Sequence, residues 1–464
     1  MAVFSVIQKS QLEGAYRLDA EYYQPEFLDA MKKLSKASTI AELTSDVRYG
    51  LYLEPNYLER GVDFIRAMNL FDYDISGEIL KIDGAKVPLE YKLEAGDCLI
   101  TRSGANTGAA SVIYPRLRGA TFGSYTIRVR FNKINPFFAG LFLNTKYGIF
   151  QTLRLQTGMA QPNLNIPNIE QIKIPIFIEN EQKKIEQICL EIQNQKENAK
   201  KFYAQAEQLL LHELGLENFS AKGGSPPSPG FGRAGASGGE TENELYTVVN
   251  FSDVKSAERM DAEFFGGRCE KVMKKCRAHS PEKLGEIATL KKGIEPGSEA
   301  YREGGKLFVR VSNLSKEGLT DNNQQFLSEK MYDEFKKDYQ PKLGEILLSK
   351  DATPGIAYVV KEPIDGVTSG GIVKVKLKEQ IDPEYVALCI NSIVGQSQVE
   401  RDAGGSIIKH WKPEQIKNLL IPILPVATQK KIADLVRESH AARKKAKELL
   451  EEAKRKVEEM IENF

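Results

Sequence analysis

The feature that most constrains this chain is a short sequence, Gln-Lys-Lys-Ile, that occurs at residues 182–185 and again at 429–432. Each copy opens a long stretch in which apolar or small residues recur every three or four positions. This pattern is typical of a helix that buries one stripe against another helix. The seam residues are Ile185, Ile188, Ile192, Phe202 and Leu209 in the first stretch, and Ile432, Leu435 and Leu449 in the second. Because each stretch closes one half of the chain, the duplication predicts a pair of long helices.

The duplication extends well beyond the helices. Residues 17–23 return as 259–265, residues 64–70 as 308–314, and residues 96–102 as 344–350. The last pair is a turn, a short apolar strand and a basic residue, Arg102 or Lys350. Short strands with glycine-rich turns, followed by helices, predict an α+β globule in each half.

A helix start is also repeated, at Asn135-Pro136 and Asp382-Pro383. An Asn or Asp side chain caps free N–H groups, and proline has no N–H to leave unsatisfied. Glycine favours a helix end, so we predict one helix from each start to Gly158 or Gly405.

The predicted organisation is a first globular domain at 1–180, a long helix at 181–217, a flexible linker at 218–245, a second globular domain at 246–427 and a second long helix at 428–463. The linker contains Gly223-Gly224-Ser225-Pro226-Pro227 and similar runs, which cannot pack a core. The predicted fold class is α+β, with two pseudo-repeated globular domains separated by the helix pair. From the residues alone the helices could run antiparallel or parallel, because the linker could stretch far enough for either.

Composition limits the function classes. A chain of 464 residues can bury a core in each of two domains. The net charge is +1, so any nucleic-acid surface must be a local patch. Five cysteines without a C-x-x-C pair favour reduced thiols in a cytoplasmic protein. No apolar run is long enough to span a bilayer, so we predict no membrane partner.

Sequence motifs of catalysis are absent. The chain has no phosphate-binding G-x-x-x-x-G-K-[ST], no G-x-G-x-x-G after a strand, no H-E-x-x-H and no G-x-S-x-G elbow between a strand and a helix. Asn135-Pro136-Phe137-Phe138 resembles the N-P-P-[YF] motif of adenine methyltransferases, but the second proline is missing. The matching Asp382-Pro383-Glu384-Tyr385 needs only a helix start to explain it. We therefore predict no catalytic residue, no metal site and no cofactor.

The order of several short motifs carries a family resemblance. The motifs are Gly158, Gln161, Asn163 and Leu164, then Glu170-Gln171-Ile172, Ile174-Pro175-Ile176 and Glu181-Gln182-Lys183-Lys184-Ile185. This order resembles the end of a target-recognition domain in the specificity subunits of type I restriction-modification enzymes. The second half departs from it, because Thr428 replaces the acidic residue and residues 407–411 replace the Gln-x-Asn loop.

The resemblance implies a DNA-specificity subunit without its own catalytic site. Each globular domain would read one half of a bipartite site in double-stranded DNA. The long helices would pack antiparallel as a spacer and dock two methyltransferase subunits, and restriction/translocase subunits would join the complex. A helix of about 35 residues is about 50 Å long. This length corresponds to about 15 base pairs between the domain centres.

Base discrimination in the major groove needs forked donors and acceptors. Candidates on loops that follow strands are Arg48, Tyr49, Arg102, Arg116, Arg118, Gln161 and Asn163 in the first half, and Lys291, Lys292, Arg302, Lys350, Lys409 and His410 in the second. The basic residues could equally contact phosphates, or be solvated surface charges.

Comparison of the two halves separates these possibilities. Arg66 and Arg310 match, which favours a scaffold or DNA-backbone role. Lys409-His410 differs from Gln161-Pro162, which favours base readout. Two alternatives remain open. One is a structural tether with two protein-binding globules on a coiled-coil spacer, and the other is an enzyme whose site lacks the common motifs.

Overall fold

The computed structural model describes residues 5–10, 12, 17–53, 56–158, 161–217, 219, 248–257, 259–260, 264–265, 267–321, 323–378, 381–404 and 409–464. The predicted linker, apart from its edge, and the predicted helix end at Gly405 lie outside the described residues. Internal contacts divide the chain into two compact units. Unit 1 comprises Met1–Lys196 with Arg443–Phe464, and unit 2 comprises Glu197–Ala442.

The helices of the described residues are, in chain order, α1 (Pro25–Lys33), α2 (Ile40–Leu43), α3 (Pro136–Phe142), α4 (Lys146–Leu155), α5 (Ile166–Glu170), α6 (Glu179–Glu213), α7 (Phe251–Ala257), α8 (Gly267–Arg277), α9 (Leu284–Ile287), α10 (Glu329–Tyr339), α11 (Pro383–Asn391), α12 (Ile393–Asp402), α13 (Pro413–Lys417) and α14 (Val426–Glu462). Short 3-10 turns are found at Ala20–Tyr23, Ala67–Asn69, Gly84–Lys86, Leu89–Tyr91, Pro115–Leu117, Ser298–Ala300 and Val311–Asn313.

The strands before residue 180 are β1 (Ser38–Thr39), β2 (Thr44–Tyr49), β3 (Val62–Ile65), β4 (Leu70–Phe71), β5 (Asp74–Ile75), β6 (Leu80–Ile82), β7 (Cys98–Thr101), β8 (Ala110–Val112), β9 (Thr121–Phe122), β10 (Thr126–Phe131) and β11 (Lys173–Ile174). Those after it are β12 (Glu282–Lys283), β13 (Ala288–Lys292), β14 (Lys306–Val309), β15 (Leu314–Ser315), β16 (Gly318–Leu319), β17 (Gln325–Leu327), β18 (Ile346–Ser349), β19 (Asp351–Ala352), β20 (Ala357–Val359), β21 (Gly366–Thr368), β22 (Ile372–Leu377), β23 (Lys409–His410) and β24 (Leu420–Ile421).

Sheet topology repeats between the units. Unit 1 contains an antiparallel sheet of order β2-β10-β7-β8, and unit 2 contains its counterpart, β13-β22-β18-β20. Each unit adds a three-stranded sheet, β6-β3-β9 or β17-β14-β21, in which one pairing is parallel. A hairpin, β4-β5 or β15-β16, follows the central strand of that sheet in each unit. The two halves are therefore copies of one α+β fold, as the sequence predicts.

Each long helix contributes to both units. In unit 1, the first part of α6 and the last part of α14 share one hydrophobic core, which includes Ile185, Ile192 and Val457. In unit 2, the last part of α6 shares a core with the first part of α14, which includes Leu210 and Ile432. Each unit by itself thus pairs the start of one helix with the end of the other. This is the antiparallel pairing that the resemblance implies.

The buried stripe on the helices differs in part from the predicted seam. Ile185, Ile192 and Ile432 are buried, but Ile188, Phe202, Leu209, Leu435 and Leu449 are only partly buried. The buried positions lie one residue further along, at Cys189, Tyr203, Leu210, Val436 and Leu450. Where two apolar residues are adjacent, periodicity does not decide which of them faces inward. Packing against the sheet and helices of the same unit decides it.

The sequence predicted one helix from Asn135 to Gly158, but the structure has two shorter helices there, α3 and α4. In unit 2, the single helix predicted from Asp382 is likewise two helices, α11 and α12. The predicted starts are confirmed, because Asn135 Oδ1 accepts from Phe137 N at 3.0 Å and Asp382 Oδ1 from Glu384 N at 3.0 Å. The break allows a close approach at Gly148, where an added Cβ would lie 2.5 Å from Leu143 Cα. Gly395 makes the equivalent approach to Ile390 Cα. Only glycine fits such a backbone crossing.

All five cysteines are buried. Among the helices of the described residues, none combines the length and the apolar character needed to cross a bilayer.

Candidate nucleic-acid interface

The candidate residues of unit 1 gather at one end of its four-stranded sheet. Tyr49 on β2 and Ile100 on β7 both pair with Ile127 of β10, so β2 and β7 finish at the same end of the sheet. Arg102 follows β7, and its guanidinium carbon lies 4.8 Å from the centre of the Tyr49 ring. The Tyr49 hydroxyl accepts a hydrogen bond from Ile166 N at 3.1 Å, which anchors the ring.

The loop that carries the Gln-x-Asn motif joins the same end of the sheet. Leu164 N donates to Arg102 O at 2.8 Å, and Asn163 pairs with Ser103. Gln161 Nε2 donates to Ser103 Oγ at 3.2 Å. The resulting cluster, which we term the first edge, consists of Tyr49, Arg102, Ser103 and Asn163. Ser103 was not predicted as a site residue, although it directly follows the matched basic residue.

Unit 2 has different side chains at the corresponding end of its sheet. Lys292 on β13 and Leu348 on β18 both pair with Val373 of β22, so Lys292 occupies the position of Tyr49. Lys292 Nζ forms an ion pair with Glu295 Oε1 at 2.7 Å. An aromatic ring in one unit is therefore replaced by a lysine-glutamate pair in the other.

Lys350, which follows β18, occupies the position of Arg102. Trp411 N donates to Lys350 O at 2.8 Å, and His410 pairs with Asp351 across β19 and β23. Asp351 lies 2.5 Å from Lys350 Nζ and 2.8 Å from His410 Nδ1. Burial opposes ionisation of Asp351, but the hydrogen bonds from Lys350 and His410 outweigh it and lower its pKa. The cluster, which we term the second edge, consists of Lys292, Lys350, Asp351 and His410.

These backbone contacts correct the alignment of the two loops. Leu164 N and Trp411 N bond to equivalent carbonyls, so Asn163 corresponds to His410. The sequence comparison placed His410 opposite Pro162, one residue away. Two short loops of different sequence cannot be aligned from their sequences alone. The backbone hydrogen bonds that each loop makes to the equivalent strand of its unit do define the alignment.

Two further candidates form matched contacts in both units. Arg48 lies over the Tyr91 ring at 5.5 Å, and Lys291 lies over the Tyr339 ring at 4.9 Å. Lys291 also forms an ion pair with Asp338 at 2.6 Å. Because successive strand residues face opposite sides of a sheet, Arg48 and Lys291 face away from the edges.

Other candidates do not join the edges. Strand β8 runs antiparallel to β7, so Arg116 and Arg118, which follow β8, lie at the end of the sheet opposite Arg102. Arg118 Nε lies 2.7 Å from Glu94 Oε2. Arg302 donates to the carbonyls of its own turn, at 2.9 Å and 2.8 Å. Lys409 is exposed and pairs with Ala352, next to the second edge.

Arg66 and Arg310 are matched in structure as well as in sequence. Each stands at the start of a 3-10 turn, where an asparagine side chain accepts from its backbone N–H, at 3.0 Å and 3.2 Å. Each guanidinium carbon lies 5.9 Å from a tyrosine ring centre, that of Tyr57 or Tyr301. Each buries its Nε without a hydrogen-bond partner in the described protein. Both also donate through Nη2 to a backbone carbonyl.

Sequence analysis did not single out the buried cation in the middle strand of each sheet. Arg128 is 2% exposed and contacts Asp46 and, at 2.8 Å, Glu90 O. Lys374 at the equivalent position donates to Gln340 O at 3.0 Å, and burial lowers its pKa. The available signal was a basic residue flanked on both sides by apolar residues of its strand, Ile127 and Val129 in β10 or Val373 and Val375 in β22. No cluster of three or more His, Cys, Asp or Glu suited to a metal ion occurs in the part of the chain that the structure describes.

Two copies of one α+β domain, each with polar and basic side chains at a sheet end, together with two long helices, define a protein of two pseudo-repeated domains. Residues 59–208 and 281–452 match the family model of the type I restriction modification DNA specificity domain. These segments cover more than half of the chain, so the chain belongs to that family. It is a family of specificity domains, which are generally non-catalytic.

Solved structures of this kind are similar to the chain. The S subunit of a type I restriction-modification system from M. genitalium has 14% sequence identity and a TM-score of 0.42, with 91% of this chain and 94% of that chain covered. The HsdS subunit from Thermoanaerobacter tengcongensis has 14% identity and a TM-score of 0.28, with the same coverage. No curated protein matches the chain. Family membership therefore rests on the family model.

Proposed function

We propose that this chain is the DNA-sequence-recognition subunit of a type I restriction-modification complex. Each globular domain reads one half of a bipartite site in double-stranded DNA. The single observation that carries the proposal is that the family model matches twice, once in each half. The end of the four-stranded sheet carries different side chains in the two units. This difference supports two domains that read different DNA sequences.

The functional division that we propose follows the duplication. Domains 1–180 and 246–427 are the readers, 218–245 is the linker, and 181–217 with 428–463 is the spacer. The spacer helices set the half-site separation, about 15 base pairs for a helix of about 50 Å. They also dock two methyltransferase subunits, and restriction/translocase subunits bind to the assembled complex. The long helices and their mutual packing within each unit support this role.

The DNA-binding surface that we propose includes all the candidates from the sequence, but the structure supports some of them more than others. The residues of the two edges, together with Gln161 and Lys409, are supported because they lie at the same end of the four-stranded sheet in their unit. Arg48 and Lys291 support the edges from the opposite face of the sheet. Arg116, Arg118 and Arg302 remain proposals from the sequence alone.

Expression of the chain with its methyltransferase subunits tests the proposal. The modified bases of the host DNA would be sequenced with and without this gene. We expect adenine methylation at one bipartite motif only when the chain is present. The purified chain alone should transfer no methyl group from S-adenosylmethionine, and transfer would contradict the non-catalytic role.

A salt series distinguishes a DNA reader from a structural tether. DNA binding by the assembled complex should weaken steeply with salt, because phosphate contacts release counterions. A complex that assembles but neither binds DNA nor methylates a bipartite motif would support the tether instead.

A further inference from the structure

At one end of the repeated four-stranded sheet, some side-chain contacts are the same in the two units and others differ. Arg48 over Tyr91 and Lys291 over Tyr339 place a basic side chain on the equivalent tyrosine ring in both units, on the face of the sheet opposite the edges. A contact that is the same in both domains cannot distinguish two different half-sites. It can hold the strands that carry the distinguishing residues.

The edges, in contrast, differ at every position. Tyr49 corresponds to Lys292, Arg102 to Lys350, Ser103 to Asp351 and Asn163 to His410. The backbone around these positions is equivalent in strand pairing and in loop hydrogen bonds. The same scaffold therefore presents two different sets of donors and acceptors.

The first edge presents a preorganised fork. Stacking on Tyr49 holds the Arg102 guanidinium, and among the described residues no carboxylate forms an ion pair with it. The Arg102 Nε is buried without a hydrogen-bond partner. A fixed planar guanidinium suits the O6 and N7 acceptors of guanine, and the Asn163 amide suits adenine.

Each lysine of the second edge is paired with a carboxylate, and the edge contains a carboxylate acceptor, which the first edge lacks. Lys350 is held by Asp351, and Lys292 is held by Glu295. His410 completes the cluster through its contact with Asp351, and its side chain is 63% exposed. A carboxylate accepts from the amino group of cytosine, whereas a lysine donates to guanine as a point charge.

From this placement we propose that base discrimination is concentrated in the two edges. Tyr49, Arg102, Ser103 and Asn163 specify one half-site, and Lys292, Lys350, Asp351 and His410 specify the other. Within the first set, Tyr49 is a positioning residue for Arg102. This proposal rests on the proposed function and deepens it.

The test uses the full chain with its methyltransferase subunits and sequencing of modified bases in the host DNA. The variants are Arg102→Lys and Asn163→Ala for the first edge, and Lys350→Gln and His410→Asn for the second. Each should relax one or two base positions of one half of the motif and leave the other half unchanged. Discrimination at a relaxed position should fall about tenfold to a hundredfold.

Arg102→Lys separates base readout from phosphate contact. It keeps the charge but removes the fork, so a phosphate contact would leave the motif unchanged. The Tyr49→Phe variant adds a second readout. It keeps the ring beneath Arg102 and loses only the hydrogen bond from Ile166 N. A Tyr49→Ala variant removes the ring as well, so it should relax the base preference of the first half-site more than Tyr49→Phe does.

Matched controls are Lys133→Ala in unit 1 and Lys376→Ala in unit 2. Both residues are exposed, and Lys133 follows the end of β10 that is remote from the first edge. Neither control should change the motif. A variant complex that assembles but does not methylate DNA gives no motif to sequence. Its base preference is then measured as the affinity for DNA duplexes that carry single-base substitutions in the wild-type site.

The outcomes are distinguishable. A bipartite wild-type motif that persists unchanged in all four edge variants would overturn this proposal and leave the proposed function standing. Equal relaxation by the controls would also overturn it. Absence of a bipartite motif with the wild-type chain would contradict the proposed function itself.

Discussion

Tyr114 in unit 1 and Lys361 in unit 2 occupy the same position, but one belongs to an aromatic pair and the other to an ion pair. Each stands one residue after the backbone hydrogen bonds that close the equivalent strand. The Tyr114 and Phe137 rings are 5.5 Å apart, whereas Lys361 Nζ lies 2.7 Å from Glu384 Oε1. Burial raises the pKa of Glu384 and lowers that of Lys361. The ion pair therefore replaces an apolar contact in a place that disfavours charge.

Replacing this ion pair with its aromatic counterpart gives the first prediction. Glu384→Phe alone leaves Lys361 without its 2.7 Å partner and should lower the free energy of unfolding by about 3 kcal/mol. The double variant Lys361→Tyr with Glu384→Phe should be within about 1 kcal/mol of wild type, or more stable. Denaturant unfolding of the full chain measures both. A double variant as unstable as the single one would contradict the equivalence of the two positions.

Adjacent leucines on the long helices test which stripe is buried. Leu210 and Leu450 are buried, whereas their neighbours Leu209 and Leu449 are only partly buried. Leu210→Ala and Leu450→Ala should each lower the free energy of unfolding by about 3 kcal/mol. Leu209→Ala and Leu449→Ala remove the same atoms and should cost about 1 kcal/mol. Larger losses for Leu209→Ala and Leu449→Ala would favour the seam predicted from the sequence, and equal losses would contradict a single buried stripe.

The end of α14 should make unit 1 sensitive to acid. Hydrogen bonds from Lys33, Tyr147 and Lys146 to the Glu462 carboxylate lower its pKa from 4.5 to about 2. A carboxyl group whose pKa is lower in the folded state stabilises the fold above its unfolded pKa. That contribution is lost as the pH falls from 4.5 through about 2.

The Glu462→Gln variant measures this contribution through the melting temperature. The difference from wild type should be constant above pH 4.5 and disappear towards pH 2. Glu459→Gln serves as a control, because Glu459 contacts Arg455 on the same helix. A difference between wild type and Glu462→Gln that does not change with pH would show that the carboxylate charge is not the cause.

The matched arginines should contribute affinity without specificity. Under the proposed function, Arg66→Ala and Arg310→Ala should weaken binding to all DNA sequences about equally. Each should reduce the slope of log affinity against log salt by about 1. Salt-dependent binding by the complex measures the slope, and sequencing of modified bases checks that the motif is unchanged. A relaxed motif would assign these residues to base readout instead.

Local features were predictable where a short sequence has one dominant physical consequence. Asn135-Pro136 and Asp382-Pro383 cap helices as predicted, because the capping side chain bonds to N–H groups two or three residues away. Arg102 and Lys350 end buried strands as predicted, because a turn and an apolar run precede each of them. These outcomes depend on neighbours in the sequence.

Features that depend on distant segments were not predictable. The pairing of Asn163 with Ser103 joins a loop to the end of a strand far earlier in the chain. The stacking of Arg102 on Tyr49 joins residues from two strands that only the sheet brings together. No pattern in either segment alone indicates these contacts.

The amino-acid sequence by itself determined that the chain is a duplication, with two α+β domains and two long amphipathic helices, because repeats and hydrophobic periodicity are properties of the order of residues. The tertiary structure decided which stripe of each helix is buried and that Asn163 corresponds to His410. It also decided which basic residues share a sheet end. These are set by packing and by hydrogen bonds between segments far apart in the chain, whose register no local pattern encodes.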